Sequence, residues 1–316
     1  MRTISPLKAR WSTSPTLGGS VELTKREDEL PSHFWSYAKH ADHEMRMVNL
    51  TLPSAYSNPG SIDAWRHRRM HETLLPILRE APGSSWLTIG DGNFGSDAHF
   101  LIQHGVQAVA SSISESTLAP AKKQAFIKDF QVENAEALTP ADNTFDFVLC
   151  KESYHHFPRP PIAFYEMLRV SKIAVVLIEP CDGPRRILDC LKILIKKVMR
   201  RNENDQFETS GNFIYRANEE EVRKMMTALN HPCVAYRPFN DFFHAKISDG
   251  MYGRDMVKTL VTLLGVGVQN LLGFLHLMNH GLGTIVAFKK EPSTSLRRRL
   301  EQAGYRVSIL PRNPYV

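Results

Sequence analysis

Two short stretches of this chain hold residues whose types and spacing could do chemistry. The first is Gly90-Asp91-Gly92-Asn93-Phe94-Gly95, a Gly-x-Gly-x-x-Gly run. Glycines let a backbone turn sharply and come close to a ligand, and a helix starting after such a turn adds unpaired N–H groups. Alone, the run suits a dinucleotide fingerprint or a chance loop. The second is Lys151-Glu152-Ser153-Tyr154-His155-His156, which follows a short apolar run. Histidine is the side chain whose charge change falls nearest neutrality, so either ring is a candidate general base. His156 is favoured because Tyr154 is expected to wall the pocket. Packing or helix capping is the bland explanation for the same pair. Glu152 and Glu179 end predicted strands and could orient a substrate, although Glu179, followed by Pro180, equally suits a solvated strand terminus.

These stretches need a frame. Residues up to about Leu52 show no long period. Ile62, Trp65, Met70, Leu74, Leu75 and Leu78 recur at helical spacing through residues 61–80. Residues 81–84 are a turn. Residues 86–89 read as a strand leading into the glycine run. Residues 98–104 read as a helix stopped by Gly105, 106–111 as a second strand and 118–128 as a helix. Residues 146–150 and 173–178 are further apolar strands, with a helix over 161–170 between them. Strands apolar throughout their length and alternating with helices mean a parallel sheet buried on both faces. Beyond these come a helix over 219–229, a strand over 233–236, a last strand over 284–288 and a helical tail over 295–303.

Composition bounds the rest. The chain has 316 residues, of which 42% are hydrophobic and 23% charged, enough for a sizeable core. Its four cysteines form no C-x-x-C and no Cys/His ligand spacing, so neither a metal site nor a disulfide framework is expected, and a reducing, cytoplasmic compartment is. The net charge of +6 is matched by residues 185–201 alone, where seven basic residues face one acid. Charge that local does not mark a nucleic-acid binder. In that segment Ile187, Leu188, Leu191, Leu194, Ile195 and Val198 share a helical face, with Lys192, Lys196 and Arg200 on another. A helix docked on the domain with a solvated basic face is the first expectation. Contact with an anionic membrane surface or a lipid-linked substrate is the second. Residues 259–278 carry no formal charge and are long enough to span a membrane. A span is rejected, because they lie between two strands of one sheet. Buried helices or a substrate lid are expected instead, with shallow, one-sided membrane contact as the alternative.

Read in order, Gly90-x-Gly92-x-x-Gly95, Asn134-Ala135-Glu136-Ala137-Leu138, Phe145-Asp146-Phe147-Val148 and His155-His156 resemble the class I S-adenosyl-L-methionine (SAM)-dependent methyltransferases of the methyltransferase-11 type. The resemblance covers roughly residues 85–180. Ile89-Gly90-Asp91-Gly92-Asn93-Phe94-Gly95 and Cys150-Lys151-Glu152-Ser153-Tyr154-His155-His156-Phe157-Pro158 also resemble bacterial polysaccharide-biosynthesis methyltransferases. The resemblance implies that Gly90, Asp91 and Gly92 run along the methionine and ribose of SAM. Asn134 stands where the family has an acid facing the adenine amino group, and Ala135 offers its N–H to the ring. Lys151 and Glu152 border the methyl donor. Two positions depart from the family pattern: Thr88 replaces the acid that ends the first strand, and Ser112 replaces the acid that ends the second and binds both ribose hydroxyls. Glu115 or Asp91 is expected to compensate.

The resulting expectation is a Rossmann-like doubly wound sheet of about seven strands with helical insertions. Residues 1–60 form an extension or cap. Residues 61–290 form the domain, with insertions at about 185–212 and 245–280, and residues 291–316 form a tail. The expected activity is methyl transfer from SAM to a small-molecule or sugar acceptor, as an O-methylation. A binding or scaffold subunit of the same fold is the alternative. A nicotinamide-dependent oxidoreductase is disfavoured by the segment before residue 145 and by the double histidine.

Overall fold

The computed structural model describes residues 32–47, 58–184, 186–198, 206–207 and 212–315. A nine-stranded sheet runs through it in the order β3-β2-β1-β4-β5-β8-β7-β9, with a short β6 beside β5. Six strands are parallel: β1 (Ser85–Ile89), β2 (Gln107–Ser112), β3 (Asp129–Val132), β4 (Phe145–Lys151), β5 (Ser171–Asp182) and the two-residue β6. The chain reverses beyond them. β8 (Leu282–Phe288) runs antiparallel to β5, and β7 (Cys233–Phe239) antiparallel to β8. The sequence pattern thus found its parallel sheet only as far as β5.

Alternation along each strand divides the core in two. Trp86, Phe147, Leu149 and Val176 pack on one face against Met70, Ile77, Leu101 and Leu118. Leu87, Val148, Val175 and Leu177 pack on the other against Phe164, Met167 and Met226. The helices supplying these residues are α2 (Ile62–His71), α3 (Leu75–Glu80), α4 (Ser96–Gln103), α5 (Leu118–Lys123), α6 (Pro160–Val170) and, after β6 (Ala217–Asn218), α8 (Glu219–Ala228). At about 25 cal/mol per Å² of apolar area, this two-sided burial dominates the stability of the frame.

Three expectations are corrected. The helix over 118–128 stops at Lys123. Ala125 then adopts φ 58°, and the chain turns into β3, a strand the apolar pattern did not show because it is only partly buried. The strand over 284–288 is not the last. After α11 (Thr294–Gln302), β9 (Arg306–Ile309) pairs with β7, so residues 291–316 include a sheet edge and not merely a tail. The apolar stretch over 259–278 is not buried. It forms most of α10 (Met256–Phe274), preceded by the short α9 (Ala245–Ser248), and α10 buries Thr259, Thr262, Val266 and Gly273 while Val257, Leu260, Leu264, Val268 and Leu271 stand exposed. The basic helix is α7 (Ile187–Val198); the side chains of Lys192, Lys196 and Lys197, and all of Arg200 and Arg201, lie outside the described residues.

Candidate active site

The strand order reverses direction of growth between β1 and β4, and ligands of open α/β sheets bind at the carboxyl ends of the strands at such a point. A cavity of about 770 Å³ lies there. Its floor is the glycine turn after β1, the end of β2 and the segment after β4. Its roof is α1 (Ser32–Met47), which contributes Tyr37, His40, His43 and Glu44.

The floor is built from local geometry. Gly90 has φ 71°, and a Cβ there would sit 2.5 Å from the Ser153 Cβ. A Cβ on Gly92 would sit 2.5 Å from Glu44 Oε1 and 3.0 Å from Ser112 Oγ. Gly90 thus needs glycine for conformation and for space against Ser153, while a side chain at Gly92 would push the Glu44 carboxylate aside. Asp91 takes over from the acid missing at Thr88. Its carboxyl accepts the Thr88 hydroxyl at 2.9 Å and the N–H groups of Asp97 at 3.1 Å and Ala98 at 2.9 Å, fixing the turn to the start of α4. Burial and the neighbouring charge of Asp97 push the Asp91 carboxyl well above its ordinary value.

Behind the turn lies a buried charge network. Lys151 Nζ stands 3.4 Å from Asp97 Oδ1 and 3.4 Å from Glu152 Oε2, and Asp97 Oδ1 is 2.7 Å from His71 Nε2. Burial acts to raise Asp97, but Lys151 and His71 outweigh it and hold the carboxyl at about 2. Burial likewise opposes the charge on Lys151, and Asp97 and Glu152 override it, so its pKa is raised. His67, 3.4 Å from Glu152, is lowered to about 4 by burial and then by Lys151. Glu152 adopts φ 50°, the strained left-handed region that functional turns tolerate.

The expected residues fall as follows. Gly90, Asp91, Gly92, Ser112, Asn134, Ala135, Lys151, Glu152 and His156 all line the one cavity. Asn134 Oδ1 accepts the Glu136 N–H at 3.0 Å, which leaves one lone pair for a ligand. His155 is not among the described lining residues. Its Nδ1 lies 2.6 Å from Glu179 Oε2, and its ring packs 4.0 Å from that of His156. Glu179 is fully buried and accepts the Ser153 and Tyr154 N–H groups at 2.8 and 2.9 Å, so it is no solvated strand terminus. Tyr154 belongs to the core, and Phe157 takes the wall position expected of it. Glu115 is exposed and lines nothing here.

Sequence reasoning missed the roof. Tyr37 OH donates to Glu136 Oε2 at 2.5 Å, and Glu136 also accepts the Arg159 N–H at 2.7 Å. The His40 and His156 rings lie 5.6 Å apart. Ser112 Oγ donates to Glu44 Oε1 at 2.5 Å. The contacts of Glu44 and Tyr37 span 68 and 99 residues of chain, and no spacing rule reaches that far.

The chain is similar to known proteins over part of its length. Residues 87–178 match the family model described as a methyltransferase domain. The chain is 27% identical over 171 residues to a demethylmenaquinone methyltransferase of Renibacterium salmoninarum, across 52% of this chain and 66% of that protein, just under two thirds of its length. Among solved structures it resembles magnesium protoporphyrin IX methyltransferase of Synechocystis PCC 6803 with bound SAH, at 17% identity over 66% of this chain and 95% of that one, with TM-score 0.47. It also resembles the YcgJ protein of Bacillus subtilis, at 18% identity over 70% and 100%, with TM-score 0.45.

Proposed function

Residues 87–178 match a methyltransferase-domain family model, and from that premise we propose that the chain is a class I SAM-dependent methyltransferase that transfers the methyl group of SAM to a hydroxyl of a small-molecule or sugar acceptor, with His156 taking the hydroxyl proton. One observation carries this reading: a single cavity joins the glycine turn to His156 at the carboxyl ends of β1 and β4. The donor fits the residues present, since Gly90 and Gly92 bring bare backbone to the cavity at the carboxyl end of β1. Bound SAM supplies an electrophilic methyl on a sulfonium, already activated. The protein's part is then to position the acceptor and remove a proton. Lys151 is held charged by Asp97 and Glu152, and His67, lowered to about 4, is a weak base at neutrality. We assign the proton to His156, on the floor after β4, rather than to His40 or His43 of the roof, and the His155–Glu179 pair fixes the turn carrying it. The polysaccharide resemblance points to a sugar hydroxyl, and the curated relative is named for demethylmenaquinone.

The test is transfer of radiolabelled methyl from SAM to a panel of sugar, phenolic and quinol acceptors. Label should appear on oxygen, and His156→Ala should slow transfer by about 10²–10⁴-fold while leaving S-adenosylhomocysteine (SAH) binding intact. Label on nitrogen or carbon, or an unimpaired His156→Ala, refutes the O-methylation reading. Tight SAH binding with no transfer to any acceptor favours the scaffold alternative.

A further inference from the structure

In glycine-turn nucleotide sites an acid about twenty residues past the turn holds the ribose hydroxyls. That position is Ser112, at the end of β2, and a hydroxyl offers no bidentate acceptor. The structure nevertheless places a carboxylate there. Glu44 reaches down from the roof so that Oε1 accepts the Ser112 hydroxyl at 2.5 Å, beside the Cα of Gly92. Glu44 Oε2 is buried and has no hydrogen-bond partner among the described residues. A buried acceptor left open costs about 1–3 kcal/mol, which a ligand carrying donors would recover. We propose that Glu44, from a helix outside the segment that matches the methyltransferase family, is the carboxylate that binds the ribose hydroxyls of the methyl donor, with Ser112 as its positioning partner.

The proposal rests on SAM as donor, and the experiment separates the two. SAH and its analogue lacking both ribose hydroxyls are titrated calorimetrically into the parent and into Glu44→Gln at pH 8. The parent should prefer SAH. Glu44→Gln should lose about ten- to a hundred-fold in SAH affinity, the range of a charge-assisted bond, and should discriminate little between the two ligands. The ligand-free melting temperature of Glu44→Gln should be no lower than the parent's, because a carboxylate that gives up solvation without full partnering does not stabilise the empty fold. In the Glu44→Gln background, Ser112→Asp should restore affinity by returning the acid to the strand end. Equal SAH affinity in parent and Glu44→Gln overturns the assignment to Glu44 while leaving the donor intact. Equal weakening for both ligands overturns it in favour of a purely structural role. A parent that binds no SAH removes the donor and this proposal together.

A second, independent observation concerns the surface. α10 is amphipathic in reverse: its buried side carries Thr259 and Thr262, and its exposed side carries Leu260 and Leu264 at 57% exposure and Val268 at 54%. α7 also exposes apolar side chains, Ile187, Leu191 and Ile195, at every fourth position. α7 is tied to the turn that follows α10, where the Leu188 N–H donates to Leu277 O at 3.0 Å and the Asn279 N–H to Asp189 Oδ2 at 3.1 Å. An apolar outer face is stable where the surroundings are themselves apolar, and the excess basic charge of residues 185–201 selects a negative surface. We infer that this face lies on an anionic lipid bilayer, seated in one leaflet. Co-sedimentation with vesicles of phosphatidylcholine, with and without phosphatidylglycerol, tests it, alongside light scattering. The parent should sediment with the anionic vesicles and release as salt rises. The triple variant L260Q/L264Q/V268Q, made at positions already in solvent, should stay in solution. No sedimentation of the parent, equal sedimentation of the variant, or a change of oligomer size in place of vesicle binding each overturns the inference.

Discussion

Glu179 in the floor of the cavity and Glu44 in its roof are both carboxylates taken out of water, but only one of them is finished. Glu179 accepts two backbone N–H groups and meets the His155 ring, with the Cys150 thiol 3.8 Å away. Nothing remains for it to bind. Glu44 meets one hydroxyl and leaves an oxygen open in the described structure. The floor holds the turn that carries His156 in one shape, while the roof holds out a valence. Burial with full partnering marks a structural acid, and burial with a shortfall beside a cradle of glycines marks a binding one.

The largest effect that can break this contrast is on the floor. Glu179→Ala should cost about 3–5 kcal/mol of stability, measured by urea unfolding, because it strands His155 and two backbone donors. A loss under about 1 kcal/mol would mean that the floor is as loosely held as the roof. Next is pH. Burial raises the Glu44 carboxyl to about 7, with the Ser112 hydroxyl pulling it partly back. Its folded-state value thus lies above the ordinary one, so stability of the empty fold is lost as pH rises through that range, while the ligand-binding carboxylate is gained. SAH affinity should therefore rise about ten-fold from pH 6 to pH 8 and stay flat in Glu44→Gln. That variant is the needed control, since His40 and His43 from the roof, Asp91, Glu133, Lys151 and His156 from the floor share the cavity. The smallest effect is on the roof's anchor. Tyr37→Phe removes one hydrogen bond to Glu136, worth about 0.5–1.5 kcal/mol. Amide exchange over residues 32–47 should quicken, with global unfolding unmoved.

The floor was legible in the sequence because its information is local. A strand, a glycine run and a helix follow one another within residues 85–103, and each apolar strand announces its own burial. Asn134, Ala135 and His156 were found through motifs of the same short reach. β3 and β9 escaped because four-residue strands at or near an edge bury only part of each residue and leave no long apolar run. The roof escaped for another reason. The contacts that seat the helix over 32–47 are polar and distant, Tyr37 and Glu44 meeting groups 99 and 68 residues away. α10 was misjudged in direction: its composition suited a core, but only the packing shows its threonines turned in and its leucines turned out.

The placement of the cysteines gives the outer surface its own reporter. Cys150, Cys181 and Cys233 are buried, and burial raises each thiol, to about 12 for Cys181 and Cys233, so they hold back from alkylation at neutral pH. Cys190 alone is exposed, and it sits in α7. A maleimide fluorophore added to the unmodified chain should therefore attach at one site, and its emission colour reads the polarity around that helix without any engineered residue.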